Sequence, residues 1–293
     1  MLIVVTLPAY NEEKTLGSVL SEIKEVMDKG KYKYKLLVVD DGSIDDTAKI
    51  AKKSGAVVLS HPSNRGLAEV FRTEIKKALE MGADMIVHTD ADGQYDAKDI
   101  PRLIKEVKAG NDLVLGDRFS GGIESMPWLK KQGNKAFSRV ISKLVHYKVN
   151  DCQTGFRAFT RQLALSLNMI SSHTYTQEQI IRAVKGGYKV KEIPTYFSAR
   201  GGKSRLIKNP FEYALKAWIN ILRIYRDYEP LKFFGIIGAF FISVGLLLGI
   251  WLLSLYARFG EIGHYPTIML AVLLLVSGVQ ILIFGFFADM HKK

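Results

Sequence analysis

The sequence predicts an α/β domain built on a mostly parallel sheet, followed by an interfacial amphipathic helix and a two-helix transmembrane hairpin. Three observations carry this. Short runs of Val, Ile and Leu alternate with helical patterns through the first 120 residues. A helical stretch over 208–228 gathers aromatic and aliphatic residues on one face. From residue 231 to the end, apolar side chains dominate.

Strands are expected at Leu2–Leu7, Lys35–Val39, Ala56–Leu59, Asp84–Thr89 and Asp112–Leu115, each bounded by polar or Gly-containing turns. Helices are expected near Glu12–Met27, Asp45–Lys53, Gly66–Met81 and Ala97–Lys108. This alternation argues for a parallel sheet covered on both faces, which binds ligands at the carboxyl ends of its strands. The next part is less regular: a helix near Lys130–Val145, a turn at Asn150–Gly155, a helix near Gln177–Lys185, a strand over Tyr188–Phe197 and a basic stretch at 199–205. The division expected is therefore 1–205 for the catalytic domain, 206–230 for the interfacial helix and 231–293 for the hairpin. In the interfacial helix Phe211, Leu215, Trp218, Ile219, Leu222 and Tyr225 share a face, with Lys and Arg off it. The spans, about 233–255 and 266–288, contain no charged side chain, and each exceeds the ~20 residues that cross a bilayer core. Basic residues crowd the domain side and the C-terminus, so the catalytic domain and both termini are expected to be cytoplasmic, at the plasma membrane in a prokaryote. Gly238, Gly245 and Gly249 permit close helix packing and a possible homo-oligomer.

The chain has 293 residues, a formal net charge of +12 and one cysteine, Cys152. The charge implies an anionic partner. The apolar C-terminus favours a lipid bilayer and phosphorylated substrates over nucleic acid. A lone cysteine rules out an internal disulfide and suits a reducing compartment. The opening Met1–Thr6 lacks a basic leader and reads as a strand rather than a secretory signal.

The strongest chemical signal is Asp90-Ala91-Asp92-Gly93-Gln94, directly after an apolar strand. Alternate positions on an extended segment point the same way, so Asp90, Asp92 and Gln94 present oxygens to one place. A hard divalent ion takes one or two such carboxylates together with substrate phosphates. A second acidic pair, Asp40-Asp41, ends the second strand, where a carboxylate accepts hydrogen bonds from base or ribose or caps the next helix. After the first strand, Tyr10 is placed to stack on a base and Glu12 to hold the nucleoside.

Five motifs occur in order: Pro8-Ala9-Tyr10-Asn11-Glu12, Val39-Asp40-Asp41-Gly42-Ser43, Asn64-Arg65-Gly66, Asp90-Ala91-Asp92-Gly93-Gln94 and Gly116-Asp117-Arg118. Together they resemble the inverting glycosyltransferase family 2 and its GT-A fold. With Asp151-Cys152-Gln153-Thr154-Gly155-Phe156-Arg157 and the apolar tail, they are similar to its dolichyl-phosphate mannose synthase and polyprenyl-phosphate glycosyltransferase branch. The resemblance implies that Pro8, Tyr10, Glu12, Val39, Asp41, Asp90, Ala91, Asp92 and Arg200 hold the nucleotide-sugar, a GDP- or UDP-hexose. It implies that Asp92 and Gln94 ligate Mg²⁺ or Mn²⁺, and that Arg118 and Lys131 meet the phosphate of a polyprenyl or dolichyl acceptor. Asp92, Arg118 and Lys131 are then the catalytic set, and mannose or glucose the sugar. Two positions depart from that branch: Gly93 stands where a larger apolar residue is usual, and Lys131 where an Arg is expected.

A phosphate monoester has a second pKa of about 6 and is mostly dianionic at neutral pH, so it needs no general base. A hydroxyl acceptor needs one. Glu178 sits where many relatives keep that base, and it equally suits a helix cap; this defines the alternative reading, transfer to a hydroxyl of a lipid or glycan. Gln179-Ile180-Ile181-Arg182 is followed by Ala183 rather than Trp, unlike processive synthases.

Overall fold

A computed structural model describes residues 1–169, 175–199, 219, 222–223, 225–261 and 264–291. The chain divides into two compact units, Met1–Pro210 and Phe211–Lys293.

The first unit is a seven-stranded sheet in the order β3-β2-β1-β4-β6-β5-β7. Its strands are β1 (Ile3–Ala9), β2 (Tyr34–Asp40), β3 (Val57–Ser60), β4 (Met85–His88), β5 (Leu113–Asp117), β6 (Arg157–Thr160) and β7 (Val190–Pro194). All pairings are parallel except those of β6, which runs antiparallel between β4 and β5. The helices are α1 (Leu16–Lys29), α2 (Thr47–Lys53), α3 (Leu67–Glu80), α4 (Ile100–Lys108), α5 (Arg118–Gly121), α6 (Trp128–Val145), α7 (Arg161–Ser166) and α8 (Thr176–Lys185). Val4, Val5, Leu37, Val38 and Val39 are almost wholly buried although neighbours point to opposite faces. Such unbroken burial requires helices on both sides, and it explains the apolar runs without alternation. Helix α1 answers with Leu16, Val19, Leu20, Ile23 and Met27, one stripe at helical spacing.

Three differences from expectation stand out. Helix α1 begins at Leu16 rather than near Glu12. Asn11 takes a left-handed backbone (φ 55°), and the Glu12 N–H donates to Thr47 Oγ1 at 2.8 Å, so residues 11–15 turn instead of coiling. Strand β7 stops at Pro194, short of Phe197, which forms isolated bridges to Tyr95 and Ile123. Strand β6 and the short helices α5 and α7 were not foreseen; four residues, Arg-Ala-Phe-Thr, are too few to show a period.

The second unit holds two long apolar helices, α9 (Pro230–Phe259) and α10 (Tyr265–Met290). The expected spans lie inside them. At 1.5 Å per residue both are long enough to cross a ~30 Å hydrocarbon core. Gly238, Gly245 and Leu252 of α9 are buried, as are Ala271, Gly278 and Gly285 of α10, each set at a spacing of seven. A Cβ on Gly238 would fall 2.8 Å from the Gly278 carbonyl oxygen, so the backbones touch there. Gly249 meets nothing within 4 Å. Of the amphipathic helix expected over 208–228, residues 219, 222–223 and 225–228 are helical and the rest lie outside the described residues.

Candidate active site

Strand order reverses between β1 and β4, and a cavity of about 340 Å³ opens there, at the carboxyl ends of the strands. Pro8, Ala9, Tyr10 and Glu12 come to it from the end of β1, Asp41 from β2, and Asp90, Ala91 and Asp92 from β4. Asn64, Gly66, Leu67 and Val70 complete its lining from the start of α3. Seven of the nine expected donor-binding residues therefore line one cavity: Pro8, Tyr10, Glu12, Asp41, Asp90, Ala91 and Asp92. Val39 does not; its side chain is buried in the sheet. Arg200 lies outside the described residues.

The lining from α3 was visible in the sequence only as a motif without a role. The structure supplies one. The Asp41 carboxylate, 4% exposed with its residue, accepts the N–H groups of Arg65 and Gly66, each at 2.9 Å, and lies 2.8 Å from His61 Nδ1. His61 Nε2 is bonded in turn to Thr73 Oγ1 at 3.0 Å. Asp41 thus anchors the 61–66 loop that forms one wall, as well as lining the cavity itself. Its neighbour Asp40 accepts the Ser43 N–H at 3.0 Å and shapes the turn.

Among the described residues no hydrogen bond is made to the half-buried Asp90 carboxylate, which Gly155 faces so closely that a Cβ there would sit 2.8 Å from both its oxygens. Asp92 Oδ1 accepts the Gln94 N–H at 3.1 Å. Gln94 Nε2 donates to the Ser198 carbonyl at 3.0 Å, which fixes the amide. These oxygen donors fit a hard divalent cation that takes its other ligands from phosphates. Among the described residues, no three His, Cys, Asp or Glu side chains cluster into a closed metal cage. Gln94 is absent from the cavity lining.

Arg118 and Lys131 also lie outside that lining. The Arg118 guanidinium is nearly buried and grips Asp151 with two bonds, Nε to Oδ2 at 2.6 Å and Nη2 to Oδ1 at 2.8 Å, over the Phe197 ring. Burial alone would lower its pKa, but Tyr95 and Asp151 raise it, so it stays charged. No bond among the described residues uses Nη1. Lys131 lies in the first turn of α6 and is part-exposed. Glu178 is buried in the first turn of α8 and accepts from Arg182 Nε at 2.9 Å. Cys152 is wholly buried, and burial pushes its thiol up to about 12, far from a thiolate nucleophile.

Behind the site lies a buried polar group absent from sequence expectation. Tyr175 Oη is bonded to His88 Nε2 at 2.7 Å, and His88 Nδ1 to Thr6 Oγ1 at 3.2 Å. Glu74 Oε2 lies 2.9 Å from the same Nδ1, close enough for charge pairing, yet that nitrogen's hydrogen bond goes to Thr6 and both Glu74 oxygens lack one. Burial raises the Glu74 pKa above its ordinary value. Arg157, fully buried, donates to the carbonyls of Cys152, Thr154 and Thr176 and to Gln179 Oε1. It ties the 151–157 segment to the start of α8.

Residues 4–166 match the model of glycosyl transferase family 2. A dolichyl-phosphate hexose transferase of Haloferax volcanii is 35% identical over 210 residues, 71% of this chain and 86% of that one. Glycosyltransferase AglJ of the same organism is 29% identical over 292 residues, 97% of this chain and 91% of that one, so the likeness runs through the apolar helices. Among solved structures, glucosyl-3-phosphoglycerate synthase from Mycobacterium tuberculosis shares the fold, with a TM-score of 0.60, 22% identity, and 76% of this chain and 78% of that one covered. That enzyme was crystallised with Mn²⁺ and UDP-glucose, and in another complex with phosphoglyceric acid. With its GT-A-like sheet and the cavity at its switch point, this chain belongs to glycosyl transferase family 2 and is an active glycosyltransferase that takes its sugar from a nucleotide-sugar donor.

Proposed function

We propose that the chain transfers a hexose from a nucleotide-sugar to a polyprenyl or dolichyl phosphate, with inversion, at the cytoplasmic face of a membrane. The observation that carries this reading is the second unit. Two apolar helices turn glycine toward each other and Leu, Ile and Phe outward, as suits a chain whose substrate cannot leave the bilayer. Withdrawing a polyprenyl tail into water costs about 0.8 kcal/mol per CH₂, so the enzyme must go to the lipid. The name of the 35% identical relative, a dolichyl-phosphate hexose transferase, supports the same acceptor. UDP in the solved fold relative supports a UDP-sugar over a GDP-sugar.

In this reading Tyr10 and Glu12 hold the nucleoside, Asp41 fixes the wall beside it, and Asp90 and Ala91 meet the nucleotide. Asp92 and Gln94 would hold a divalent cation, Mg²⁺ or Mn²⁺, which when bound supplies positive charge beside the diphosphate. Arg118, kept charged and aimed by Asp151, offers the acceptor phosphate its remaining nitrogen, and Lys131 adds a second charge. Catalysis is then positioning and charge neutralisation, since the acceptor arrives already ionised.

A second reading, transfer to a hydroxyl of a phosphate-bearing acceptor with Glu178 as base, is the one the solved structures support better, because that enzyme is a glucosyl-3-phosphoglycerate synthase crystallised with phosphoglyceric acid. Against it, the Glu178 carboxylate is engaged by Arg182. Glu178→Gln separates the two. Turnover retained within a few-fold supports the lipid phosphate; near-total loss with intact donor binding supports the hydroxyl acceptor.

A further inference from the structure

Helix α6 carries a surface that the donor cavity does not use. Between Met126 and Asn150 the chain has Lys130, Lys131, Lys135, Arg139, Lys143 and Lys148, and no Asp or Glu. The inner face of the helix is set by the buried Asn134, Phe137, Ser138, Ile141, Leu144 and Val145. Steps of three and four then place Trp128, Lys135, Arg139 and Lys143 together on the opposite, outer face. Trp128 at its head is 72% exposed.

A solvated helix face ordinarily mixes charge signs and pairs them at i,i+4. Here no ion pair among the described residues involves Lys135, Arg139 or Lys143, and Lys135 Nζ lies over the Phe119 ring, 5.6 Å from its centre. Leaving so much indole in water is unfavourable, and unpaired like charges repel. One partner relieves both: an anionic lipid surface, where Trp settles at headgroup level and long basic side chains reach phosphate groups. The inner face of the same helix leads to the acceptor side, because the Cys152 N–H donates to Ser138 Oγ at 3.1 Å and the adjacent Asp151 grips Arg118.

We propose that the outer face of α6 docks on an anionic lipid surface, with Trp128 seated among headgroups and Lys135, Arg139 and Lys143 on their phosphates. In purpose it rests on the lipid-phosphate reading, since it would hold Arg118 at the level where such an acceptor presents its headgroup. The test uses the full chain with Trp218→Phe and Trp251→Phe, leaving Trp128 as the only indole. It is reconstituted in vesicles of phosphatidylcholine alone or with about one third phosphatidylglycerol, a composition that gives a negative surface potential. Brominated phosphatidylcholine is the lipid-phase quencher. Trp128 fluorescence should be quenched several-fold more in the anionic vesicles. Lys135→Gln, Arg139→Gln and Lys143→Gln should each weaken docking about five-fold, and added salt should do the same. Equal access of acrylamide to Trp128 in both vesicles, with no lipid-phase quenching, overturns the proposal. So does binding of a polyuridylate probe without lipid quenching, which would assign the face to nucleic acid. Sugar transfer to short-chain prenyl phosphates is measured alongside: transfer without quenching sinks the docking alone, and quenching without transfer sinks the acceptor alone.

Discussion

The two units of this chain bury opposite things. In the sheet unit Leu7, Leu20, Leu37, Phe71, Phe156 and Phe159 are inside. In the helical hairpin the buried positions are mostly Gly238, Gly245, Ala271, Gly278 and Gly285, while Phe240, Leu247, Leu273 and Phe284 face out. Large apolar side chains gather inside only when the outside is water. Where the surroundings are as apolar as leucine, burying leucine gains nothing, and helices associate through backbone contact at small residues. The same chain thus follows two packing rules, and each can be broken separately.

The largest effect belongs to the catalytic unit. Asp92→Ala should lower sugar transfer about a thousand-fold, since charge stabilisation at the diphosphate is removed. Helix content and extraction of the hairpin should be unchanged. Wild-type transfer rates would show that this carboxylate has no part in the site.

Gly155→Val drives a side chain onto the Asp90 carboxylate. Displacement of about 1 Å at a reacting site costs about a hundred-fold. Steady-state kinetics of the folded variant should show that loss. Unaltered kinetics would mean that Asp90 can shift freely.

Gly278→Leu attacks the other packing rule, because even a Cβ at Gly278 meets Ile242 Cγ1 at 2.6 Å. Overpacking of this kind costs about 1–3 kcal/mol. Disulfide trapping between cysteines introduced into α9 and α10 should fall, whereas transfer to a short-chain, water-soluble prenyl phosphate should stay within two-fold. A hairpin that still traps fully would contradict the glycine interface.

The smallest effect concerns Glu74. Its folded pKa is raised above the ordinary 4.5, mainly by burial. A group raised in this way favours folding below its unfolded pKa, and that contribution is lost as pH rises through the folded value. Glu74→Gln escapes the loss. The variant should match or fall below the wild type in acid and exceed it in neutral solution, where the carboxyl ionises freely in the unfolded chain but only at a cost in its buried site. A stability difference independent of pH would show that Glu74 does not titrate within the fold.

Much of the fold was legible because its signals are local. Five parallel strands, four helices over their flanks and two long apolar helices each announce themselves by period or length. The residues from Pro8 to Glu12 and the run Asp90–Asp92 sit where strands end, so their convergence on one cavity followed from topology. What escaped depends on contacts between distant positions. Nothing in Arg157–Thr160 says that it will insert antiparallel between β4 and β5. Nothing around Asp41 says that its oxygens will anchor Arg65 and Gly66, 24 and 25 residues on. Arg118 was expected to meet an acceptor phosphate; its grip on Asp151 spans 33 residues. His88 and Tyr175, 87 residues apart, could not be paired by any local rule.

The acceptor is the point on which the account turns, and ³¹P NMR of the product addresses it directly. Purified full-length chain, UDP-glucose or GDP-mannose, Mn²⁺ and a short-chain prenyl phosphate are incubated, and the lipid phosphorus is followed. The phosphate monoester resonance should give way to a phosphodiester coupled to the anomeric carbon of the sugar. Sugar joined to a hydroxyl, with the monoester resonance intact, would contradict it.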